Sequence, residues 1–262
     1  MEINYTNYIE LKQTGISRAA MSEHFDIPEW KLKKLIAINK WGTPRPTVGN
    51  EHAFDEYSEE ACYWGGFLAA DGCVDAKHRV RLMLKYDDLS HVEKLKEFLR
   101  STHTISVNTT TYNRCSLEIT NSHICDMLDL NYSIVPNKTD KLKFPKHIPK
   151  EYLRHYIRGY FDGDGSICES FSNKSSITAS IYATFASGAA QFSIDLFNYL
   201  QGILELGGHL QTFKDSVKWQ LKFNTNDAKH LLHYMYKDCS IYLDRKYTLY
   251  QRIIVNDIRE KR

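Results

Sequence analysis

Two segments of the chain end in Asp-Gly, and their aspartates are the side chains that best indicate chemistry. Residues 63–72 read YWGGFLAADG and residues 156–165 read YIRGYFDGDG. Each segment predicts an apolar helix that ends at an aspartate, Asp71 in the first and Asp164 in the second. A carboxylate at a helix C-terminus opposes the helix dipole, and two neighbouring carboxylates repel each other. Such a pair is favourable where it holds Mg²⁺ or a similar hard cation, which suits phosphodiester hydrolysis.

Small residues in both segments predict how the two aspartates come together. They are spaced four positions apart, as Gly66 with Ala70 and Gly159 with Gly163. This spacing lets two helix backbones approach closely. We therefore expect the two helices to pack at a pseudo-twofold axis, with Asp71 beside Asp164. Gly72 and Gly165 follow the aspartates and are expected to be left-handed helix caps.

The hydrophobic pattern around these segments repeats, and the repeat defines the elements that must position the aspartates. Each copy reads helix, two strands, helix, two strands, helix, or αββαββα. In the first copy the strands are predicted near 73–76, 79–86, 103–109 and 114–120, with further helices near 88–100 and 121–130. In the second copy the strands are predicted near 166–171, 177–186, 208–214 and 217–223, with further helices near 189–206 and 226–237.

The predicted strands alternate between apolar and polar residues, which indicates one packed face and one open face. In the strand 79–86, the residues expected to face the core are Val80, Leu82, Leu84 and Tyr86. The open faces carry side chains of the types that contact phosphates and base edges. These candidates are Arg79, Arg81, Lys85, Arg114, Ser116, Lys218, Gln220 and Lys222. A solvated sheet face is also polar, but the recurrence of the pattern in both copies favours nucleic-acid contacts.

The first 45 residues predict a small all-α unit. Ser17 is expected to cap a helix at 18–25, and Pro28 is expected to open a second helix that runs to about Ile38. Two helices joined by a short turn have the outline of a helix-turn-helix. The lysines of the second helix lie mostly off its apolar stripe and are candidate DNA contacts: Lys31, Lys33 and Lys34. A packing appendage with a solvated lysine face is the alternative.

Composition excludes several classes of protein. The 262 residues are 42% hydrophobic, and no apolar run approaches the roughly 18 residues of a membrane helix. The first residues lack the apolar segment of a secretory signal. Six scattered cysteines without a CxxC pair indicate neither a disulfide framework nor a cysteine zinc site. A net charge of +2 does not by itself indicate nucleic-acid binding.

The two aspartate motifs also carry a family resemblance. WGGFLAADG (64–72) and IRGYFDGDG (157–165) resemble the motifs of LAGLIDADG homing endonucleases in their single-chain, two-motif form, over about residues 58–262. The resemblance implies an α+β fold of two pseudo-twofold αββαββα half-domains, with saddle-shaped antiparallel sheets that lie in the DNA major groove. It further implies a monomer that makes a Mg²⁺-dependent, or Mn²⁺-dependent, staggered double-strand break. Ala69 stands where the second motif has Asp162, a position that the resemblance implies to be structural.

The resemblance assigns roles to individual residues. The resemblance implies that the last acid of each motif is a metal ligand, and these acids are Asp71 and Asp164 here. The metal set would also include the main-chain positions Ala70 and Gly163. A basic residue near each metal would order water and counter developing phosphate charge, and the candidates are Lys138 and Lys246.

The expected organisation is an accessory helix-turn-helix unit at 1–45, a linker at 46–57, and half-domains at 58–150 and 151–262. Glycines and prolines at 42–50 mark the linker region. Two alternatives use the same fold: a DNA-binding transcriptional regulator that does not cleave, and an RNA maturase. Retention of both acids favours the enzyme over the regulator. The expected location is the cytoplasm or nucleoid, or an organellar matrix.

Overall fold

A computed structural model of the protein describes residues 3–14, 16–39, 41, 46–171, 179–212 and 218–260. The chain divides into two compact units, residues 1–45 and 46–262. Parts of four predicted elements lie outside the described residues, namely 42–45 of the linker region and the strand positions 177–178, 213–214 and 217. Among the helices of the described residues, none combines the length and apolar character that crossing a bilayer requires.

The smaller unit is built from three helices: α1 (Tyr5–Gln13), α2 (Arg18–His24) and α3 (Glu29–Ile38). The sequence analysis predicts α2 and α3 but not α1. A small core formed by Tyr8, Met21 and Leu32 joins the three helices. Leu32 is fully buried, as the apolar stripe of α3 predicts.

The caps of the smaller unit match the sequence prediction at one helix and differ at the other. Ser17 caps α2, because its side chain accepts a hydrogen bond from the Ala20 amide at 3.2 Å. Pro28 is not the first helical residue of α3. It has an extended backbone and lies one position earlier, where its carbonyl accepts from the amides of Lys31 and Leu32.

The larger unit contains the two predicted repeats. The first comprises α4 (Glu59–Ala70), β1 (Gly72–Val74), β2 (Arg79–Lys85), α5 (Leu89–Phe98), β3 (Ser106–Asn108), β4 (Arg114–Thr120) and α6 (Ser122–Tyr132). The second comprises α7 (Lys150–Asp164), β5 (Gly165–Phe171), β6 (Ala179–Ser187), α8 (Ala190–Leu204), β7 (His209–Thr212), β8 (Trp219–Asn224) and α9 (Thr225–Tyr236). A further helix, α10 (Asp244–Glu260), follows without a counterpart in the sequence prediction.

Each repeat forms one four-stranded antiparallel sheet. The strand order is β1-β2-β4-β3 in the first and β5-β6-β8-β7 in the second, so the two sheets have the same topology. Apolar side chains of alternate strand positions are buried, including Leu82 in β2, Leu117 in β4 and Leu221 in β8. The prediction that one face of each sheet is packed and the other open is therefore confirmed.

Helices α4 and α7 pack on each other at the centre of the larger unit, as the small residues predict. A Cβ added to Gly66 would lie 2.0 Å from the carbonyl oxygen of Tyr156, and one added to Gly159 would lie 1.9 Å from that of Tyr63. Real Cβ atoms do not approach carbonyl oxygens this closely. Glycine is therefore required at both positions by contact with the opposite helix.

Three sequence predictions for the larger unit are wrong. Tyr86 does not face the core but is 39% exposed, because β2 ends at Lys85 and the chain turns through a short 3₁₀ helix. Gly72 and Gly165 are not left-handed caps, since neither has a positive φ and each begins a strand directly. A Cβ at either would meet a helix carbonyl, that of Leu68 at 2.6 Å or that of Phe161 at 2.5 Å. Glycine is therefore required at both positions because a side chain would collide with the preceding helix.

The third concerns residues 46–57, which are predicted to be a linker. Val48 forms an isolated antiparallel bridge with Ser101, and Phe54 is fully buried against Phe98 and Tyr132. This segment is thus packed onto the first repeat. The linker prediction rests on glycines and prolines at 42–50. That composition does not indicate that one aromatic side chain, Phe54, packs into the core of the first repeat.

Candidate active site

Asp71 and Asp164 lie where the two central helices end side by side. Asp71 is the C-cap of α4 and precedes β1, while Asp164 is the last residue of α7 and precedes β5. A Cβ added to Gly163 would lie 2.4 Å from the Cβ of Ala70 and 3.4 Å from Oδ2 of Asp71. The Asp71 carboxylate therefore lies against the backbone of α7, one residue from Asp164.

Asp71 and Asp164 are both exposed residues, although the surrounding protein partly desolvates their carboxylates. Burial and the neighbouring charge of Asp164 together raise the pKa of Asp71 to about 6. Burial also raises the pKa of Asp164, against the opposing charges of Lys138 and Lys246. Two partly desolvated carboxylates thus face one another, and each would be more easily ionised with a cation beside it.

Lys138 approaches this pair from the first repeat. It begins a short 3₁₀ helix (Lys138–Asp140) that follows α6, immediately after Asn137, which has a left-handed backbone. Its Nζ donates to the carbonyl oxygen of Ala70 at 3.1 Å. Burial lowers the pKa of Lys138, and the charges of Asp164 and Asp71 oppose that shift. The ammonium group has three N–H donors, so two remain for water or phosphate.

Lys246 approaches from the second repeat, in the first turn of α10. It is 5% exposed, and its Nζ donates to the carbonyl oxygens of Phe161, Asp162 and Gly165, the last two at 2.8 and 2.6 Å. Burial lowers its pKa to about 8, despite the nearby carboxylates. All three donors of this ammonium group are engaged by the end of α7, so the two lysines are not equivalent.

A divalent cation fits the chemistry of this donor set. Within the described residues, the carboxylates of Asp71 and Asp164 have neither a hydrogen bond nor an ion pair. Carboxylate and carbonyl oxygens are the ligands that Mg²⁺ and Mn²⁺ prefer. The carbonyl of Ala70 already accepts from Lys138, which orients it at the edge of the pair. Gly163 packs directly against the Asp71 side chain.

Asp162 lies two residues before Asp164 on α7 and is enclosed by protein. Its Oδ2 accepts hydrogen bonds from the Tyr63 hydroxyl at 2.7 Å and the Leu243 amide at 2.8 Å, and its Oδ1 accepts from the Tyr236 hydroxyl at 2.5 Å. The side chain has no solvent-exposed surface. These contacts tie α4, α9 and the turn before α10 to α7, so Asp162 positions the helix that carries Lys246.

The candidate DNA-contact residues of the larger unit all retain solvent exposure, and all except Lys218, which directly precedes β8, lie in strands of the two sheets. Two of them are held by acids that the sequence analysis does not single out. Nε of Arg79 donates to Asp75 at 2.7 Å, and Nη1 donates to Glu118 at 3.2 Å. Nε of Arg81 donates to the other oxygen of Glu118 at 2.7 Å. Glu118 therefore sits between two arginines on the face predicted to meet DNA.

The remaining face residues have varied contacts. The guanidinium of Arg114 lies 4.4 Å from the ring centre of Tyr112, and the ammonium of Lys222 lies 4.0 Å from that of Tyr182. Gln220 accepts a hydrogen bond from Gln211 at 3.0 Å. Ser116 is opposite Met83 in the ladder, Lys85 is opposite Arg114, and Lys218 contributes positive charge near Asp164.

A cleft beside the first sheet reaches Asp71. This cleft of about 620 Å³ is lined by Asp71, Lys85, Arg114 and Arg245, among others. Arg245 also pairs with Asp88 at 3.3 Å, and its charge acts to lower the pKa of Asp71. Arg245 directly precedes Lys246 in the sequence, yet its place beside the first aspartate depends on α10.

The lysines of the smaller unit, Lys31, Lys33 and Lys34, are all exposed on α3. Lys33 pairs with Glu29 at 3.2 Å on the same helix. The neighbouring Trp30 is 65% exposed, which is unusual for an indole in a small helical unit.

Comparison with known proteins identifies the fold. No protein-family model and no curated protein matches the chain. Among solved structures, a double mutant of I-SmaMI matches with a TM-score of 0.54 and 14% identity, over 76% of this chain and 90% of that one. The LAGLIDADG meganuclease I-AabMI bound to uncleaved DNA matches with a TM-score of 0.54 and 12% identity, over 76% of this chain and 91% of that one.

The I-LtrWI LAGLIDADG homing endonuclease bound to target DNA matches with a TM-score of 0.50 and 11% identity, over 81% of this chain and 92% of that one. At such identities the likeness establishes the fold. The chain has the fold of single-chain LAGLIDADG homing endonucleases, and the fold predicted from the two motifs is confirmed.

Proposed function

We propose that this protein is a monomeric homing endonuclease that cuts both strands of a long DNA target by metal-assisted phosphodiester hydrolysis. The observation that carries the proposal is the pair Asp71 and Asp164, placed side by side at the interface of two similar repeats. Folding alone does not favour two partly desolvated carboxylates at adjacent helix ends. A pseudo-twofold pair of acids suits a substrate whose two strands are themselves related by local twofold symmetry.

Asp71 and Asp164 would hold Mg²⁺, or Mn²⁺, with the main-chain carbonyls of Ala70 and Gly163 beside them. A bound dication in such a site supplies Lewis-acid polarisation of the phosphate and an activated water. I-SmaMI, which has a similar fold, is bound to an uncleaved DNA target in the presence of calcium ions, and this supports a divalent cation here.

The two lysines would stabilise the developing phosphate charge in different ways. Lys138 keeps two donors that can order an attacking water or contact the scissile phosphate. Lys246 uses its three donors on the end of α7 and would act mainly by its charge and by holding that helix end in place. The two strands would then be cut at different rates, and the staggered break would pass through a nicked intermediate.

The open sheet faces would lie in the major groove and read the target. Lys85 and Arg114 line the cleft beside Asp71, and Arg79 and Arg81 lie farther along β2 of the same sheet. Glu118, between two arginines, adds an acceptor that suits the exocyclic amine of cytosine. I-AabMI is bound to uncleaved DNA and I-LtrWI to target DNA, which supports the same partner for this chain.

The smaller unit would serve as a helix-turn-helix accessory. The lysines of α3 would contact phosphates beyond the site covered by the repeats. A mobile, intron-encoded element is the expected origin, with the protein acting in the cytoplasm or nucleoid, or in an organellar matrix. Footprinting the full chain against a chain lacking residues 1–45, across a salt series, tests the accessory role. We expect a shorter footprint and a weaker salt dependence for the truncated protein.

The cleavage proposal is tested by incubating the full chain with Mg²⁺ and a randomised or genomic DNA library and sequencing the new ends. We expect paired ends at one long sequence, with short 3′ overhangs. Selective binding to a sequence without any cut would instead favour a transcriptional regulator on this fold. Binding and assisted splicing of an intron RNA, without DNA cleavage, would favour an RNA maturase.

A further inference from the structure

A second group of potential metal ligands lies away from the aspartate pair, on the first repeat. Nδ1 of His52 donates to Oδ2 of Asp55 at 2.7 Å, and Nε2 of His123 donates to Oδ1 of the same carboxylate at 2.7 Å. The two imidazole rings meet edge to face, with centroids 4.8 Å apart. One ligand atom from each of the three residues lies within 4.8 Å of the other two.

The backbone that carries these side chains is firmly held. His52 and Asp55 belong to the turn before α4, where the Asp55 amide donates to the His52 carbonyl at 3.2 Å. Between them, Phe54 is fully buried, and its carbonyl accepts from Nδ2 of Asn131 at 2.8 Å. His123 lies in the first turn of α6, which Asn121 caps. The three ligands therefore converge from two fixed elements rather than from a free loop.

We propose that His52, Asp55 and His123 bind a first-row transition dication, for which Zn²⁺ is the reference ion. Two imidazoles and one carboxylate are a common protein ligand set for such ions, and water completes the coordination at an exposed site. Nδ1 of His52 and Nε2 of His123 now donate hydrogen bonds to Asp55. Each neutral imidazole would carry its proton on the other nitrogen when the metal is bound, so that these two nitrogens could bind the ion. This proposal is independent of the function proposed above.

A further observation concerns the outer nitrogen of His52. Its Nε2 lies 3.8 Å from Oε1 of Glu51. A carboxylate beside the outer nitrogen commonly orients a ligating histidine.

This site differs in kind from the aspartate pair. Mg²⁺ prefers oxygen ligands and would select Asp71 and Asp164, while imidazole nitrogens select zinc-like ions. A bound ion would join the turn before α4 to the start of α6. It would thereby clamp the first repeat at the end of α4 opposite to Asp71.

The test is calorimetric titration of the full chain with Zn²⁺ in excess Mg²⁺, which occupies the oxygen site. The comparison uses wild type, His52→Gln, His123→Gln and Asp55→Asn, with His230→Gln, an exposed histidine of α9, as the matched control. We expect each triad variant to weaken Zn²⁺ binding at least about tenfold and the control to leave it unchanged. All variants keep the cysteines, so adventitious thiol binding is the same throughout.

A second readout guards against loss of folding. Zn²⁺ should raise the thermal midpoint of the wild type and of His230→Gln, because ligand binding stabilises the native state. It should not raise that of the triad variants, whose midpoints without zinc should stay close to wild type since all three side chains retain solvent exposure. Equal zinc affinity in wild type and all triad variants, or no zinc binding by the wild type, would overturn the proposal.

Discussion

Gly159 of α7 lies so close to Tyr63 of α4 that an added Cβ would be 1.9 Å from the Tyr63 carbonyl oxygen. The same relationship occurs in the other direction between Gly66 and Tyr156. Because the helices end at Asp71 and Asp164, the separation of their backbones sets the separation of the two carboxylates. The interface between the repeats and the candidate metal site are therefore one structural feature.

Replacing Gly159 by alanine should push the helices apart. We expect Gly159→Ala to lower the free energy of unfolding by about 3 kcal/mol or more, since the contact is with backbone and cannot relax by a rotamer change. Gly202→Ala in α8 is the control, because its Cβ would meet no atom within 4 Å. That change should stabilise the protein by up to about 1 kcal/mol. Urea denaturation measures both, and equal effects would contradict the close packing.

Replacing each of the two lysines by methionine should have different effects on cleavage and on stability. Lys138→Met should reduce cleavage about 100-fold or more while leaving stability nearly unchanged, because it removes donors aimed at the reacting groups. Lys246→Met should also lower the free energy of unfolding by about 1–3 kcal/mol, since three carbonyls at the end of α7 lose their partner. Thermal unfolding and strand-specific nicking rates are the measurements. Equal loss of stability in both variants would contradict the assignment.

Buried His91 should make the protein sensitive to acid. Burial, with a smaller contribution from Lys94, lowers the pKa of His91 to about 3. Its Nε2 contacts the Tyr63 hydroxyl at 3.1 Å, and its Nδ1 is buried without a partner. The unfolded chain takes up a proton near the ordinary pKa of 6.5, whereas the folded chain does so only near 3. This stability is present above pH 6.5 and is lost as pH falls towards 3.

We expect His91 to contribute a slope of about 1.4 kcal/mol per pH unit to the unfolding free energy in that window. His91→Gln removes this contribution and keeps a polar group for Tyr63. His155, whose pKa burial lowers to about 4, is present in both proteins, so the difference between the two curves isolates His91. Unfolding free energies measured from pH 7 to pH 4 should converge as pH falls. Parallel curves would rule out a neutral, buried His91.

Glu118 should restrain the arginines beside it. Glu118→Gln removes a negative charge from the sheet face that we propose contacts DNA, and it releases Arg79 and Arg81 from their ion pairs. We expect tighter binding to noncognate DNA and a steeper salt dependence, by about one unit of slope. Glu97→Gln, which removes the same charge from an exposed site on α5, is the control. If both variants bind noncognate DNA alike, the open face is not the DNA-binding surface.

Much of the fold could be predicted because it follows from local patterns. The two-residue period of β2 and β4 predicts their buried and open faces, and the small residues of α4 and α7 predict the central contact. The aspartates could be found because each ends a glycine-containing helix and because this motif occurs twice in the chain. Lys138 is indicated by the family resemblance and not by a local pattern.

The remaining features depend on partners far away in the sequence. The burial of Lys246 requires α10 to be held by the bond between Leu243 and Asp162, which are 81 residues apart. Glu118 looks like an ordinary polar strand residue until β2 brings two arginines beside it. The cluster of His52 and His123 likewise joins two segments that have no shared motif. Periodicity and motif spacing carry no information on such contacts.

The most direct test of the metal assignment compares wild type with Asp71→Asn and Asp164→Asn on the DNA target selected from the library. The control is Asp126→Asn, an exposed aspartate of α6. Cleavage and gel-shift assays in Mg²⁺ should show that either site variant has lost double-strand cleavage but still binds the target. Binding without metal should be equal or tighter, because a carboxylate no longer repels the phosphates. Full cleavage by either site variant would contradict the assignment of this pair as the metal site.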